Sequence, residues 1–432
     1  MNAKNLLLAA TAALALAPAS HAQTYLIRGA RVVTVSGPVM LEASVLVRDG
    51  KIADIGSNLP APAGAEVVEA RGLSLYPGLF DLSSQIGMQG ARENTMGELL
   101  PHLKAFWSYR CETELAELAR VNGVTHVMSK PGRGGPGGRL RFGVIPGQAT
   151  VMNLTGATPE KAEITRDGPI MLNFPTVGVL EYTGDERFAV VPWSTTKNQY
   201  DKSLADLRRL FASANDYANR KGALAPDTAR AWKPDLMLEA MIPVVQGRRA
   251  VLIDANSDVD IKAAVEFASA IKLNYFIDGA EQAWKILDFL KENHVRLIFE
   301  ATQAVPPGED DPVDVIYRTP AMLQEKGIPF SLGASGGGGA DTRHLGYQAG
   351  NAVAYGLSWD AALRAITLTP AEMLGLGSEL GSIDKGKRAN LVLAQGDIFE
   401  PSTRIVSVFI DGRPVSMETS QTRNYEIYRP RQ

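Results

Sequence analysis

The sequence predicts an α/β fold, in which a TIM-like (β/α)8 barrel is joined to a small β-sandwich domain formed by both termini. Through the middle of the 432-residue chain, short apolar segments alternate with amphipathic helical segments, a pattern typical of a buried parallel sheet. Both ends instead carry short strands separated by glycine turns. The number of alternating units favours a closed barrel. The alternative is an open doubly wound sheet, although no G-x-G-x-x-G motif follows an early strand.

The first 22 residues predict a Sec-type signal peptide. Lys4 precedes an apolar run over residues 6–17, and small residues at Ser20 and Ala22 frame a cleavage site after Ala22. A membrane anchor is the alternative, but the run is shorter than the roughly 20 residues that a membrane span requires. We therefore expect a periplasmic or secreted protein, and no later segment has the length and apolar character of a membrane span.

Composition limits the classes of partner and of site. The net charge of −3 does not favour nucleic-acid binding, so small molecules or other proteins are the expected partners. Cys111 is the single cysteine, which excludes an intramolecular disulfide and a cysteine-rich metal site. Stability must come from the apolar core, which a chain of this length can provide.

The domain boundaries follow from these patterns. We assign residues 23–76 to the first part of the β-sandwich, 77–380 to the barrel, and 381–432 to the second part and a C-terminal tail. Six apolar segments are predicted barrel strands: 123–129, 169–174, 250–255, 274–279, 295–301 and 329–335. Helical spacing of apolar residues predicts helices over 202–222, 259–272 and 281–294.

Two glycine-rich segments are predicted to be loops at the barrel mouth, Lys130–Gly143 and Gly333–Arg343. The first carries Arg133, Arg139 and Arg141, so a phosphate cradle is the alternative to a plain loop. Neither segment contains the G-x-x-x-x-G-K-[ST] pattern of a phosphate-binding loop.

Four segments together resemble the amidohydrolase superfamily, in particular its secreted, imidazolonepropionase-like branch. "YPGLFDL" is similar to the P-G-L-I-D-x-H-x-H segment of the first barrel strand, and "LARVNGVTHVMSKPG" to A-x-x-x-G-V-T-T-V. "IPGQATVMNLTG" resembles S-G-Q-x-A-x-x-x-L-x-G of the secreted branch. The longest match is "YGLSWDAALRAITLTPAEMLGLGSELGSIDKGKRANLVL", which resembles the closing segment of the family. The resemblance covers nearly the whole chain after the signal peptide and implies a β-sandwich built from both termini.

The resemblance also implies an activity and a metal centre. Enzymes of this family hydrolyse non-peptide, cyclic or acylated C–N bonds, and they normally use Zn²⁺ or another divalent metal to activate water. In this chain the positions of the family's metal ligands fall on other residues: Ser83, Gln85, Asp254, Asp278 and Ser335. A bridging lysine or glutamate cannot be placed from the sequence. We therefore predict a degenerate site with no metal and no cofactor.

The histidines after the signal peptide do not form a replacement site, because none has a second histidine two or four positions away. His126 falls within a predicted strand and is expected in the core. His294 follows a predicted helix and is expected at the surface, and His102 has no visible partner. His344 follows the second glycine-rich loop and is the histidine nearest to the predicted barrel mouth.

Three functions remain open at this point. The first is a non-catalytic homologue in a homo- or hetero-oligomer, as the partner subunit of an active paralogue. The second is an active C–N hydrolase with a remodelled site. The third is a module that binds a small ligand at the barrel mouth. In the second case Asp254 or Asp278 is the base, with Gln85 or Ser335 as oxyanion donors. The same oxygens suit a hard cation such as Ca²⁺ or Mg²⁺ at Asp254 and Asp278, or a general acid–base pair.

Overall fold

A computed structural model describes the chain over residues 23–88, 99–131, 133–134, 140–141, 143–178, 180–182, 188–225, 232–300, 302–334 and 337–429. The predicted signal peptide and Ser335 lie outside these ranges. No helix in the described ranges has the length and apolar character needed to cross a membrane.

Strands from both ends of the chain form one eight-stranded sheet, as the sequence predicts. The strands are Tyr25–Val32, Met40–Arg48, Lys51–Gly56, Glu66–Glu69, Ser74–Pro77, Leu391–Gln395, Arg404–Ile410 and Arg413–Pro414. The two ends meet where Ser74–Pro77 pairs antiparallel with Leu391–Gln395. Buried apolar side chains from both ends share one cluster, which includes Tyr25, Leu75 and Phe409. Burial of this shared apolar face stabilises a sheet that neither end completes alone.

The middle of the chain supplies parallel strands, and each of the six predicted strands lies within its predicted limits. The parallel strands are Leu79–Ser84, Val124–Ser129, Ile170–Asn173, Val251–Ala255, Tyr275–Gly279, Leu297–Phe299 and Phe330–Leu332. Shorter strands are Gly147–Gln148, Thr150–Asn153 and Glu163–Thr165, with two hairpins formed by Arg133–Gly134 and Leu140–Arg141 and by Leu180–Tyr182 and Phe188–Val190.

Helices and 3-10 turns connect these strands. The α-helices are Glu114–Arg120, Pro159–Ala162, Trp193–Gly222, Leu236–Val245, Asp258–Ala270, Leu287–Glu292, Val315–Lys326, Leu345–Ala354, Trp359–Ala365, Leu368–Met373 and Ser420–Tyr428. The 3-10 helices are Ala105–Ser108, Ala283–Ile286 and Gly337–His344.

Two predicted helices differ from the observed ones. The helix predicted over 202–222 begins already at Trp193, because its first turns are largely exposed and carry no apolar spacing for sequence reading to detect. The helix predicted over 281–294 consists of a 3-10 turn, Ala283–Ile286, followed by Leu287–Glu292. The prediction over 259–272 agrees closely with the observed helix Asp258–Ala270.

Hydrogen bonds divide the strands of the middle into a six-stranded and a four-stranded sheet. Within the described ranges, strand pairing does not close these sheets into a ring. The two sheets approach each other where Gly333 follows the last parallel strand, because a Cβ atom at Gly333 would lie 2.7 Å from Ser83 Cβ. The architecture is mixed α/β, and the closed eight-stranded barrel stays a prediction.

Candidate functional site

Polar side chains lie at the carboxyl ends of the parallel strands, directly beyond an apolar layer. One buried apolar cluster includes a residue from each of five parallel strands, among others: Met128, Met171, Leu252, Phe276 and Ile298. Because side chains alternate along a strand, the residue two positions further on projects to the same side. The residues two positions after these five are all polar and buried: Lys130, Asn173, Asp254, Asp278 and Glu300. We call these five the polar layer, and it occupies the end of the strands where sites of parallel α/β folds are found.

Lys130 lies at the centre of this layer. Its Nζ donates to Ser83 Oγ at 2.6 Å, to Asp278 Oδ2 at 2.5 Å and to Glu300 Oε1 at 2.6 Å. An ammonium has three hydrogens to donate, so these three contacts use all of them. We call these four residues the Lys130 cluster.

Local structure fixes the position of Lys130. It directly follows the strand Val124–Ser129, and its backbone N–H donates to Ser84 O at 3.0 Å, which extends the pairing with the first parallel strand. The side chains of Lys130 and Asp278 are 0% exposed and that of Glu300 is 5% exposed. In such surroundings the attraction between opposite charges is much stronger than at the surface, while the loss of hydration makes each charge depend on its partners.

Asp81 forms a second buried cluster beside the first. Its Oδ1 accepts from Ser83 N at 2.8 Å and from Ala334 N at 3.2 Å, and its Oδ2 accepts from Thr342 Oγ1 at 2.9 Å. Burial raises the pKa of Asp81 to about 6, against the lowering effects of these hydrogen bonds and of the Lys130 charge. Asp81 thus ties the first parallel strand to the segment after the last one.

Replacing Asp81 with asparagine is expected to stabilise the protein more at pH 7.5 than at pH 5. Because the folded-state pKa is raised from 3.8 to about 6, ionisation of Asp81 destabilises the fold as the pH rises through this window. The gain from Asp81→Asn, measured by urea unfolding, is expected to be about 1 kcal/mol larger at pH 7.5 than at pH 5. Asp216→Asn, at an exposed carboxylate, is the control and should show no such difference. An equal effect of Asp81→Asn at both pH values would contradict the prediction.

The structure brings some of the predicted site residues together. Ser83 and Asp278 meet through the Lys130 ammonium. Asp254 lies opposite Asp278 in the parallel register and accepts a hydrogen bond from Asn256 Nδ2 at 3.2 Å. Gln85 follows the first parallel strand and is half-buried. Asp278, considered as a general base, accepts from the Lys130 ammonium through Oδ2, and its role as a base stays a prediction.

Sequence reading missed four residues of the site: Asp81, Lys130, Asn173 and Glu300. The glycine-rich context of Lys130 predicts a loop, yet the residue comes directly after a predicted strand. Glu300 occupies the corresponding position near the end of the predicted strand 295–301. These residues could have been found from their position at the carboxyl end of a predicted parallel strand, because such ends converge on one site.

The histidines occupy four separate places. His126 is buried, as predicted, and desolvation followed by the Arg388 charge lowers its pKa to about 3. His294 is exposed, as predicted. His344 Nε2 accepts from Arg343 Nε at 3.1 Å, and its Nδ1 lies 3.5 Å from Asp341 Oδ1. His102 lines a cavity at another place in the fold.

The residues present do not fit a divalent metal centre. In the ranges that the structure describes, no group of three or more His, Cys, Asp or Glu side chains is arranged to hold a metal ion. Two carboxylates of the polar layer instead accept from the Lys130 ammonium. A divalent ion placed about 4 Å from that ammonium would be repelled by roughly 8 kcal/mol at an effective dielectric constant of 20.

Comparisons with known proteins agree with this architecture. The model of the amidohydrolase family matches residues 269–415. An amidohydrolase structure from Thermotoga maritima superposes with a TM-score of 0.77 at 23% identity, covering 91% of this chain and 99% of that one. The structure of molinate hydrolase superposes with a TM-score of 0.55 at 17% identity, covering 92% and 95% of the two chains.

Two curated relatives align over 403 residues. The dihydroorotase of Pelotomaculum thermopropionicum is 24% identical, with 87% of this chain and 90% of the relative covered. The amidohydrolase tasK of Hapsidospora irregularis is 23% identical over 85% of this chain, but the chain spans only 39% of that relative. A dihydroorotase of Geobacter sulfurreducens is 46% identical over 57 residues, which is 13% of each protein. Residues 269–415 therefore match the amidohydrolase family, and the chain as a whole shares the fold of solved amidohydrolases.

Proposed function

We propose that this protein is an exported amidohydrolase homologue of the imidazolonepropionase-like branch that lacks a metal centre and acts as a non-catalytic partner subunit of an active paralogue. The observation that carries the proposal is the Lys130 cluster. An ammonium with all three hydrogens donated holds two carboxylates and a serine at the carboxyl ends of the strands. Those side chains are therefore engaged with one another, which supports a site without a metal centre.

The role as a partner subunit and the export rest on the sequence. The predicted signal peptide supports export, and the retained family segments support a fold kept for association after the metal ligands were replaced. Coexpression with a paralogue that carries intact metal ligands, followed by affinity purification and native mass spectrometry, tests the association. A mixed complex of defined stoichiometry is expected, and recovery of this chain without the paralogue would count against it.

Purified protein supplied with Zn²⁺ is expected to retain well below one metal ion per chain, because Lys130 opposes a divalent charge in the polar layer. Inductively coupled plasma mass spectrometry after gel filtration measures the retained metal. The same preparation is expected to leave dihydroorotate, cyclic amides and acylated dipeptides unhydrolysed.

A catalytic amidohydrolase with intact metal ligands, purified in parallel, is the positive control for both measurements. Stoichiometric Zn²⁺ in this protein, together with hydrolysis that a chelator abolishes, would contradict the proposal.

One contact favours a second candidate, an active C–N hydrolase with Ser83 as nucleophile. Lys130 Nζ lies 2.6 Å from Ser83 Oγ, and serine–lysine pairs activate nucleophiles in some hydrolases. In that chemistry the serine oxygen attacks the carbonyl carbon, while the lysine takes the serine proton and passes it to the leaving nitrogen. Water then releases the acyl group. The hydrogen bonds from Lys130 to the two carboxylates oppose this chemistry, because they are donated by an ammonium, which has no lone pair to accept a proton.

Covalent labelling separates the two candidates. A serine-directed fluorophosphonate detected by intact mass spectrometry is expected to leave the protein unmodified if the site is non-catalytic. Stoichiometric labelling that Ser83→Ala abolishes, with Ser129→Ala as the control, would favour the hydrolase instead.

A further inference from the structure

We propose that a cavity at the opposite end of the strands binds a small zwitterion with an aliphatic side chain, such as a free amino acid or a short peptide. Arg249 and Asp167, which line this cavity, come just before the strands Val251–Ala255 and Ile170–Asn173. Arg249 and Asp254 are separated by five residues of extended chain, or about 16 Å at the rise of a β-strand. The cavity is therefore distinct from the polar layer at the carboxyl ends.

One wall of the cavity is a single face of the helix Leu236–Val245. The lining residues from this helix are Leu236, Glu239, Ala240 and Pro243, which follow the i, i+3, i+4, i+7 spacing of one helix face. Three of the four are apolar, and Leu236 is 68% exposed. This wall therefore offers an apolar surface that carries one carboxylate.

A second part of the lining, which we call the cationic wall, carries two cations that share one carboxylate. Lys104 Nζ lies 2.6 Å and Arg249 Nη2 lies 3.3 Å from Asp167 Oδ1. Arg249 is further fixed by donating from Nη1 to Gln148 Oε1 at 2.8 Å, and Gln148 is itself buried. This wall has one more positive charge than negative charge, and its arginine is held in place before any ligand arrives.

The carboxylate of the helix wall keeps unused acceptor positions. Glu239 Oε1 accepts from Tyr217 Oη at 2.7 Å, and Glu239 Oε2 accepts from Lys221 Nζ at 2.5 Å. Because a carboxylate has about four acceptor positions, Glu239 keeps at least one beyond its bonds to Tyr217, Lys221 and Trp232. His102 also lines the cavity, and its Nδ1 atom is buried with no hydrogen-bond partner in the described part of the chain.

Charge and size together define the ligand. The lining has two positive and two negative side chains, with the excess positive charge on the cationic wall and Glu239 on the helix wall. Glu239 also pairs with Lys221, whose side chain is 43% exposed, so that solvent screens its charge. A ligand carboxylate fits beside Lys104 and Arg249, a ligand ammonium fits beside Glu239, and an aliphatic group fits against the apolar helix face. The cavity of about 420 Å³ lies within the range of small-molecule sites.

Isothermal titration calorimetry with the full chain and L-leucine tests the proposal. We expect saturable binding of one L-leucine per chain, and binding at least tenfold weaker for N-acetyl-L-leucine, which lacks the ammonium, and for L-leucinamide, which lacks the carboxylate. No saturable binding of L-leucine, or equal affinities for the three compounds, would overturn the proposal.

Matched variants assign the two charges of the ligand. Glu239→Gln is expected to weaken the binding of L-leucine at least tenfold, so that L-leucine no longer binds more tightly than N-acetyl-L-leucine. Arg249→Gln is expected to bind L-leucine no more tightly than L-leucinamide. Lys104→Gln provides the same test should Arg249→Gln fail to fold. Arg318→Gln, at an exposed arginine paired with Asp314, is the control. L-leucine binding that is unchanged in Glu239→Gln and in the variant of the cationic wall would overturn the assignment.

Discussion

Replacing Lys130 with methionine is expected to lower the free energy of unfolding by about 3 to 5 kcal/mol. Methionine has a similar length but no charge, so the carboxylates of Asp278 and Glu300 lose the ammonium on which their burial depends. Breaking a buried ion pair from one side costs far more than the net stabilisation by the intact pair, because an uncompensated charge remains away from water. Urea unfolding followed by far-UV circular dichroism measures the loss.

Lys326→Met is the matched control for this prediction. Lys326 Nζ also lies 2.6 Å from a carboxylate, that of Asp288, but the two side chains are 41% and 80% exposed. A surface pair of this kind contributes about 0 to 1 kcal/mol. Adding Asp278→Asn and Glu300→Gln to Lys130→Met is expected to restore much of the lost stability. A loss in Lys130→Met no larger than that in Lys326→Met would contradict the account of the Lys130 cluster.

The buried histidine is expected to dominate the loss of stability at mildly acidic pH. The folded-state pKa of His126 is lowered from 6.5 to about 3, so its contribution to stability is fully present above pH 6.5 and is lost as the pH falls toward 3. From pH 7.5 to pH 5 this group alone should remove about 2 kcal/mol, and its full range corresponds to about 5 kcal/mol. Unfolding measured across this pH range tests the loss.

His126→Asn isolates the contribution of this histidine. His126 Nδ1 lies 2.6 Å from Thr125 Oγ1 and 3.3 Å from Asn390 Nδ2, and an asparagine oxygen can take a similar position without titrating. The variant is expected to start from a lower stability, because the ring packs on Phe80 with centroids 4.2 Å apart, but to lose less of it between pH 7.5 and pH 5. His294→Asn removes an exposed histidine and should keep the wild-type pH dependence. An unchanged pH dependence in His126→Asn would show that another group controls the acid transition.

Asp81 acts in the opposite direction over part of the same pH range. Its raised folded-state pKa makes the fold more stable as the pH falls through 6, whereas His126 makes the fold less stable there. In the wild-type protein the two effects on stability partly cancel as the pH changes. The single variants Asp81→Asn and His126→Asn are needed to separate them.

Local patterns in the sequence were sufficient to predict the strands. Each of the six apolar segments predicted as strands contains an observed strand, because burial on both faces requires continuous apolar residues. The β pattern at both ends likewise predicted that the two termini share one sheet. The start of the helix Trp193–Gly222 could not be predicted from local patterns, because its exposed first turns carry no apolar residues at helical spacing.

The content of the candidate site depended on contacts between distant parts of the chain. The sequence by itself determined that Ser83, Asp254 and Asp278 lie near the ends of apolar strand segments. The tertiary structure decided that Lys130 reaches Asp278 and Glu300, which are 148 and 170 positions away along the chain. Side-chain alternation within a strand is local and readable from sequence, whereas the meeting of buried charges depends on how strands far apart in sequence are placed side by side. That placement brings Lys130, which its glycine-rich context predicts to be in a loop, into contact with two buried carboxylates of the polar layer.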